Sequence, residues 1–241
     1  MARYETFPLA IDLALDDAIV EAVSFRMAGP TIRFHGAEPS AVSIGQSQKI
    51  DGLVDIERCR KLGIDMVRRN TEGNAYFHDV GKEISFSIIC PEEMISKDLD
   101  RVYEEVGGWV VNALKLIGIV SSFEGPNEVV VDGKTICHLF QSRPKGTLLI
   151  QGNFLYDIDR PTMFSLIRPS AGLGPSEERL TSLRELKKLP WEYAMAALVN
   201  ALILNKQWYA GDLTRDEMVR AELIAQQRYG KEEWTFGQPS H

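Results

Sequence analysis

Cysteine is scarce in this chain, and its few cysteines are widely separated. Among the 241 residues there are three cysteines, and they stand at Cys59, Cys90 and Cys137. Their spacing fits neither a set of zinc ligands nor a disulfide framework. The sequence therefore predicts no metal site and no fold held together by disulfides.

Long apolar runs and an excess of basic residues are absent as well. No apolar run reaches the roughly 18 residues that a membrane span needs. The opening residues Met1–Glu5 lack the apolar core of a secretory signal. The formal net charge is −7, whereas proteins that bind nucleic acid generally present a basic face. We therefore expect a cytoplasmic protein that binds neither membranes nor nucleic acid.

The composition is that of an ordinary globular protein, with 44% hydrophobic and 25% charged residues. The length suits one sizeable domain. Asp132 and Gly133 are a strong two-residue hairpin signal. This pattern indicates an α/β (α+β) fold with a mixed, largely antiparallel sheet flanked by helices. Alternating or mostly apolar runs predict strands at Thr31–His35, Ala41–Ile44, Asp65–Val67, Ile84–Ile89, Glu128–Val131, Lys134–Gln141 and Thr147–Leu155.

Helical spacing dominates other parts of the chain. The segment Pro169–Pro175 has no periodicity and is predicted to be a loop. Beyond it only helical patterns remain, with helices that start near Pro190 and at Thr214, a good N-cap. We predict residues 1–175 as the main domain and 176–241 as a helical C-terminal part of the same domain. The remaining predicted helices are Ala10–Arg26, Asp55–Leu62, Leu99–Ile117 and Arg160–Ile167.

The stretch with the most chemical character runs from Arg68 to Asp79. It reads Arg-Arg-Asn-Thr-Glu-Gly-Asn-Ala-Tyr-Phe-His-Asp. Paired arginines beside a turn suit an anionic ligand, because the guanidinium fork matches phosphate and carboxylate geometry. Gly73 allows the backbone to approach a ligand closely, and Asn74 tolerates a positive φ. The alternative is a tight hairpin with two solvated arginines.

This stretch resembles the Arg-Arg-x-Thr-Gly-Gly-Gly-Ala-Val-x-His-Asp signature of the lipoate–protein ligase and octanoyltransferase family, which is related to biotin ligases. Glu72 and Asn74 depart from the signature, since the family has glycine at both positions. The resemblance extends from about residue 10 to 236. Four further segments match the family. They are the opening helix Leu13–Ala18, the segment with Arg33, Pro39, Gly45 and Gln46, the run Asp132–Ile136, and the C-terminal run Tyr229–Trp234.

The resemblance implies a biotin/lipoate ligase-like catalytic domain. The family enzymes attach a lipoyl or related acyl group to a lysine of a lipoyl-carrier domain through an acyl-adenylate. ATP and Mg²⁺ would then be cofactors, lipoate a substrate, and a separate accessory ligase subunit a further possible partner. The residues it places around the acyl-adenylate are Arg68, Arg69, Thr71, Glu72, Gly73, Asn74, Ala75, Tyr76, His78 and Asp79. Those it places in the substrate pocket are Arg33, Gly45, Gln46, His138 and Gln151.

Lys134 is the catalytic residue that the resemblance implies. The family motif Asp-Gly-Lys-Lys-Ile-x-Gly carries a lysine that contacts the phosphate or the acyl carbonyl, and this chain has Asp-Gly-Lys-Thr-Ile. A cation there offsets the negative charge that develops during transfer. If the strand alternates regularly, Lys134, Ile136, His138 and Phe140 share one face, and Cys137 faces the other way.

Several departures from the family leave three functions open. His138 and Phe140 stand where relatives have small residues, and Gln151 replaces a histidine. A carboxylate at Glu72 would repel a phosphate or neutralise an arginine. The first function is the adenylate-forming ligase. The second is octanoyl or lipoyl transfer between carriers without ATP, although the segment Val120–Phe123 lacks the cysteine nucleophile of some relatives. The third is non-catalytic binding of a carrier domain or a partner ligase subunit.

Overall fold

The computed structural model describes residues 3–168 and 177–237. The predicted loop Pro169–Pro175 lies outside the described residues, so the division into 1–175 and 176–241 stays a prediction. The strands are β1 (Tyr4–Phe7), β2 (Thr31–Ala37), β3 (Ala41–Ile44), β4 (Asp65–Arg68), β5 (Tyr76–His78), β6 (Glu83–Pro91), β7 (Ser122–Glu124), β8 (Glu128–Val131), β9 (Lys134–Ser142) and β10 (Thr147–Leu155). The α-helices are α1 (Leu9–Ser24), α2 (Ile56–Leu62), α3 (Leu99–Leu116), α4 (Arg160–Leu166), α5 (Leu183–Leu186), α6 (Trp191–Ile203), α7 (Arg215–Ile224) and α8 (Glu232–Phe236).

The strands form one large and one small sheet. The large sheet has seven strands in the order β1-β2-β6-β10-β9-β8-β7, and the small one has the order β4-β3-β5. Every neighbouring pair in the large sheet is antiparallel except β1 and β2. The predicted mixed, largely antiparallel sheet is therefore confirmed. Within residues 177–237 there is no strand, as the helical patterns predict.

The large sheet lies between two layers. On one face, α3 and α6 cover a core that includes Val106, Val110 and Leu198. On the other face lie α1 and the small sheet, where Phe140 of β9 packs with Tyr76 of β5. The small sheet is thereby held against β9, and the arginine stretch follows β4 at this junction. The site is built at the junction of the two sheets.

Local sequence signals set several element ends. Asp132 and Gly133 have φ angles of 50° and 73°, as a two-residue type I′ hairpin requires. The Asp55 side chain accepts a hydrogen bond from the backbone N–H of Arg58 and caps α2, which ends at Gly63 with φ 67°. These ends match the sequence predictions because a few neighbouring residues determine them.

Two features of the fold were not predicted. Strand β1 pairs with β2 in parallel, and its four residues carry no strong signal of their own. In α1, Asp12, Asp16 and Asp17 are buried, although acidic residues of a helix usually face solvent. The carboxylates of α1 are therefore buried, and each needs a hydrogen-bond or ion-pair partner inside the protein.

Two properties of the described residues bear on function. Among residues 3–168 and 177–237, none of the helices combines the length and apolar character that spanning a bilayer requires. In the same part of the chain, no group of three or more His, Cys, Asp or Glu side chains is arranged to hold a metal ion.

Two adjacent glycines of α3 offer a test of how β7 packs on this helix. A Cβ added at Gly107 would lie 2.2 Å from the Phe123 ring, whereas a Cβ at Gly108 would meet nothing within 4 Å. We expect Gly107→Ala to lower the free energy of unfolding by about 1–3 kcal/mol through overpacking. Gly108→Ala, the matched control, should raise it by about 0.5–1 kcal/mol. Urea unfolding measures both, and equal effects would contradict this packing.

Candidate functional site

The arginine stretch is not a solvated hairpin. Arg68 ends β4 and Arg69 follows it, and their exposed fractions are 3% and 2%. Strands β4 and β5 do not pair with each other, because β3 lies between them. The alternative of a tight hairpin with two solvated arginines is therefore wrong.

Arg68 fixes the turn after β3 and the C-terminal helix α8. Its guanidinium donates to the carbonyls of Gly45 (3.1 Å), Gln46 (2.9 Å) and Gln48. It also donates to the carbonyls of Trp234 and Thr235, both at 2.9 Å. Each of its nitrogens thus has a backbone partner, and Gly45 and Gln46 contribute carbonyls to this structural role.

Arg69 is enclosed by the loop that follows it. Its guanidinium donates to the Thr71 hydroxyl (3.1 Å) and to the carbonyls of Glu72 (3.0 Å) and Asn74 (2.9 Å). The Phe140 ring stacks on it, with its centroid 4.0 Å from the guanidinium carbon. Gly73 has φ 112°, and a Cβ there would lie 2.5 Å from the Phe140 ring. The loop therefore needs glycine at this position to wrap the arginine.

A buried cluster of charges lies behind this loop. Arg33 of β2 forms ion pairs with Asp12 (2.9 Å) and Asp16 of α1. His35 bonds Asp12 through Nδ1 (2.6 Å) and Ser87 through Nε2 (2.9 Å). Burial by itself would raise the pKa of Asp12, but His35 and Arg33 outweigh it and hold that pKa below its ordinary value. This cluster joins α1 to the large sheet.

The cluster continues to the arginine loop. The Gln151 amide donates to Asp16 (2.7 Å), and its oxygen accepts from the Thr71 hydroxyl (2.9 Å). Thr71 in turn accepts from Arg69. A continuous chain of hydrogen bonds therefore runs from α1 through β10 to the loop, and Arg33 and Gln151 belong to it rather than to an open pocket.

His78 and Asp79 have internal partners as well. His78 bonds Glu83 through Nδ1 (2.8 Å) and the Ser43 hydroxyl through Nε2 (2.9 Å). Asp79 pairs with Lys82 at 2.7 Å. These bonds tie the end of β5 to the start of β6 and to β3. Both side chains therefore hold the small sheet in place.

Glu72 does not neutralise an arginine through an ion pair. Its carboxylate accepts hydrogen bonds from the Ser47 hydroxyl (2.5 Å) and backbone N–H (3.4 Å). It lies at the exposed rim of the loop and joins the loop to the turn after β3. A negative charge nevertheless stands at the loop where relatives have glycine.

A cavity of about 240 Å³ opens between the loop and strands β8 and β9. Five of the residues predicted for the site line it: Gly73, Asn74, Ala75, Tyr76 and His138. The other predicted residues do not line it: Arg33, Gly45, Gln46, Arg68, Arg69, Thr71, Glu72, His78, Asp79, Lys134 and Gln151. Sequence reasoning missed Tyr103, Pro126, Asn127 and Glu128 as lining residues, and it identified Phe140 only as filling space.

A β-bulge in β9 changes which side chains face this cavity. Val129 is opposite Cys137, whereas Val130 is opposite Thr135, so Ile136 is an extra residue. Ile136 and Cys137 both pack into the core under α3 and α6. The alternation reverses there, because a bulge sets two residues against one. Thr135 therefore shares the face of His138, and the predicted common face of Lys134, Ile136 and His138 is wrong.

Lys134 consequently lies on the face of β9 opposite to that of His138. It is exposed at the beginning of β9 and stands opposite Val131, which packs into the core under α3. Of the two adjacent lysines in the family motif, the second corresponds to Thr135. The position on the face of His138 thus carries threonine here, and the catalytic role of Lys134 stays a prediction.

The cavity contains a carboxylate and an imidazole side by side. Glu128 Oε1 lies 3.6 Å from His138 Nε2, and Glu128 Oε2 accepts from the Thr135 hydroxyl at 2.9 Å. Burial lowers the pKa of His138; Glu128 opposes this shift, and Arg69 adds to it. Burial therefore favours the neutral form of this imidazole.

The buried cluster leads to a stability prediction. Asp12→Asn leaves Arg33 and His35 without one of their partners, so the free energy of unfolding at pH 7 should fall by about 3–5 kcal/mol. The Asp12 pKa is lower in the folded state, so its contribution is full above its unfolded pKa of about 3.9 and is lost as pH falls through the folded value. The difference between the proteins should then shrink in acid. Urea unfolding at several pH values measures it, with Asp51→Asn at the exposed surface as control.

An equal loss for Asp12→Asn at every pH would contradict this electrostatic account. A loss as small as that of the control would show that the cluster does not stabilise the fold. The control itself should change the free energy of unfolding by less than about 0.5 kcal/mol.

Known proteins share both the sequence pattern and the fold. The family model of the lipoyl protein ligase A/B catalytic domain matches residues 8–203. The octanoyltransferase LipM of Geobacillus kaustophilus is 27% identical over 267 residues, covering 95% of this chain and 94% of the relative. The LipM of Symbiobacterium thermophilum is 28% identical, covering 93% of each.

Solved structures share the fold of this chain. A bipartite lipoate protein ligase from Thermoplasma acidophilum has a TM-score of 0.84 at 22% identity, covering 100% of this chain and 98% of that one. A lipoate-protein ligase A bound with ATP has a TM-score of 0.85 at 22% identity, covering 99% and 98%. The predicted fold and the predicted acyltransferase type of enzyme are confirmed. The chain belongs to the lipoyl protein ligase A/B catalytic-domain family.

Proposed function

We propose that this protein transfers an octanoyl or lipoyl group from a thioester donor directly to a lysine of a lipoyl-carrier domain, without forming an acyl-adenylate. The observation that carries the proposal is the charge of the cavity. None of the ten described residues that line it is a lysine or arginine, and Glu128 and His138 are among them. A thioester is uncharged and needs no cation for binding, whereas a nucleotide phosphate needs positive or N–H partners.

The arginines of the signature do not compensate for this charge. Every nitrogen of Arg68 and Arg69 already donates to protein oxygens. Redirecting one of these donors to a phosphate breaks a hydrogen bond to a charged group, which is worth about 1.5–3 kcal/mol. Glu72 adds a negative charge at the rim. These residues do not fit a triphosphate.

The size of the cavity favours the same conclusion. Its volume is about 240 Å³, below the roughly 300–1,000 Å³ that pockets for drug-sized ligands occupy. Phe140 stacks on Arg69 and fills the space beside Gly73. An acyl chain is thin enough for such a cavity, whereas an acyl group joined to a nucleotide is larger. ATP and Mg²⁺, expected from the resemblance, are therefore not part of this proposal.

Direct transfer fits the poor reactivity of the cysteines, because burial raises the pKa of Cys59 and of Cys90 to about 11. The segment Val120–Phe123 has no cysteine. Cys137 faces the core, and burial raises the pKa of its thiol well above the ordinary value. Since the thiolate is the reactive form, Cys137 is unsuited to hold the acyl group. The carrier lysine would then attack the donor thioester itself.

The proposed acceptor follows from the relatives. Two of them are octanoyltransferases, and one solved structure comes from a lipoylation system with a ligase and its E2 lipoyl domain. We infer a lipoyl-domain carrier as partner of this chain. A separate accessory subunit and the cytoplasmic location stay predictions.

A paired assay tests the proposed function. The protein is incubated with a lipoyl domain and either an octanoyl-carrier thioester, or octanoate with ATP and Mg²⁺, and mass spectrometry follows acylation of the domain. We expect acylation from the thioester alone. Acylation that requires ATP would support the ligase reaction instead. Acylation from neither donor would overturn the proposal and favour a carrier-binding role.

Lys134→Ala tests the residue that the resemblance implies. Because its side chain starts on the face away from the cavity, we expect the transfer rate to fall by less than about tenfold, or 1.4 kcal/mol of activation free energy. Circular dichroism should show an unchanged fold, since Lys134 is exposed. A fall of about a hundredfold or more, as for a lost oxyanion donor, would return Lys134 to the site.

A further inference from the structure

We propose that Glu128 and His138 form the subsite for the acceptor lysine, in which Glu128 binds the ammonium group and His138 Nε2 removes its proton. This inference rests on the proposed function for its chemistry. Its binding half can be tested without any turnover.

The geometry leaves a gap between the two side chains that a donor group can bridge. The distance of 3.6 Å between Glu128 Oε1 and His138 Nε2 is longer than a hydrogen bond. Both residues line the cavity. An ammonium group carries three N–H donors, so it can donate to the carboxylate and to the neutral imidazole together.

Both acceptors are held in place by their surroundings. Thr135 donates to the far oxygen of Glu128, which leaves Oε1 facing His138. The His138 ring stacks parallel to Phe140 at an interplanar angle of 3° and meets the edge of Tyr76. Aromatic rings also attract a cation electrostatically. The cavity thus suits a primary ammonium ion at the end of a thin aliphatic chain.

The second ring nitrogen of His138 gives independent support. Nδ1 is buried and has no hydrogen-bond partner within residues 3–168 and 177–237. In contrast, both ring nitrogens of His35 and of His78 are bonded. A histidine that served only to tie strands together would be expected to bond through both nitrogens, as these two do. An unsatisfied buried group calls for a functional explanation.

The reaction balances with these two residues alone. His138 Nε2 takes one proton from the lysine ammonium, and Glu128 stabilises the resulting imidazolium. The lysine nitrogen then forms a bond to the thioester carbonyl carbon, and the carbon–sulfur bond breaks. The second proton leaves the nitrogen and ends on the departing sulfur. The products are the acyl-lysine amide, a free thiol and the proton on His138, which returns to water.

A binding cycle tests the lysine subsite. Calorimetry measures the affinity of the parent and of Glu128→Gln for a lipoyl domain with its acceptor lysine and for the same domain with that lysine changed to methionine. We expect Glu128→Gln to weaken binding of the lysine form by about tenfold and of the methionine form hardly at all. Glu124→Gln is the matched control, because Glu124 is exposed directly across the strand pair from Glu128.

A kinetic comparison tests proton removal. His138→Gln should lower kcat for transfer from the octanoyl thioester by about a hundredfold or more, with little change in KM for the lipoyl domain. The parent rate should level off above the pKa of His138, whereas the variant rate should keep rising with pH until the lysine itself loses its proton. The charged or titratable groups beside His138 are Glu128, Arg69 and Tyr76. Tyr103 lines the same cavity, and Arg179 lies 3.8 Å from the far oxygen of Glu128. Thermal melting verifies that the variant folds.

The outcomes separate this inference from the proposed function. Equal affinities across the binding cycle would overturn the lysine subsite, whether or not the parent is active. An active parent whose His138→Gln variant keeps its rate and its pH profile would overturn the role as base and leave thioester transfer standing. A parent that transfers from no thioester would overturn the proposed function and the base together, and the binding cycle would then decide the subsite alone.

Discussion

The structure depends on the ion pairs that Arg33 makes with Asp12 and Asp16 inside the protein. Charges removed from water require partners, and a partner left alone is strongly destabilising. This requirement fixes how α1 lies on the sheet, because its two carboxylates must meet a side chain of β2. Through Gln151 and Thr71 the same constraint reaches the loop after β4. The core and the signature loop are therefore one hydrogen-bonded unit.

This unit explains why residues that match a ligand-binding signature have structural roles here. Arg68 holds the C-terminal helix against β3, and Arg69 organises the loop around itself. The fold of the family is retained while the donors of its two arginines are directed to protein oxygens. On the other side of the loop, β8 and β9 contribute a carboxylate and an imidazole to a small cavity.

Sequence reasoning recovered the elements that local signals determine. The hairpin at Asp132 and Gly133 and the ends of α2 follow from turn and cap preferences of a few adjacent residues. Strand β1 and the burial of the α1 carboxylates depend on distant partners, so no local pattern reveals them. The lining of the cavity could not be predicted from the sequence either, because Tyr103 and Glu128 come from separate elements and belong to no motif.

The extra residue at Ile136 has a consequence for comparing this chain with others. A motif is matched by counting positions along the chain, whereas a cavity receives whatever one face of the sheet presents. Because a bulge inserts one extra residue, the position of a residue in the motif no longer predicts which face of the sheet its side chain is on. Two sequences can share the lysine that begins β9 and still place different side chains on the face of His138, because the neighbouring residue is the one that lies there. In this chain that neighbour is an uncharged hydroxyl, which donates to Glu128 and so orients the acid.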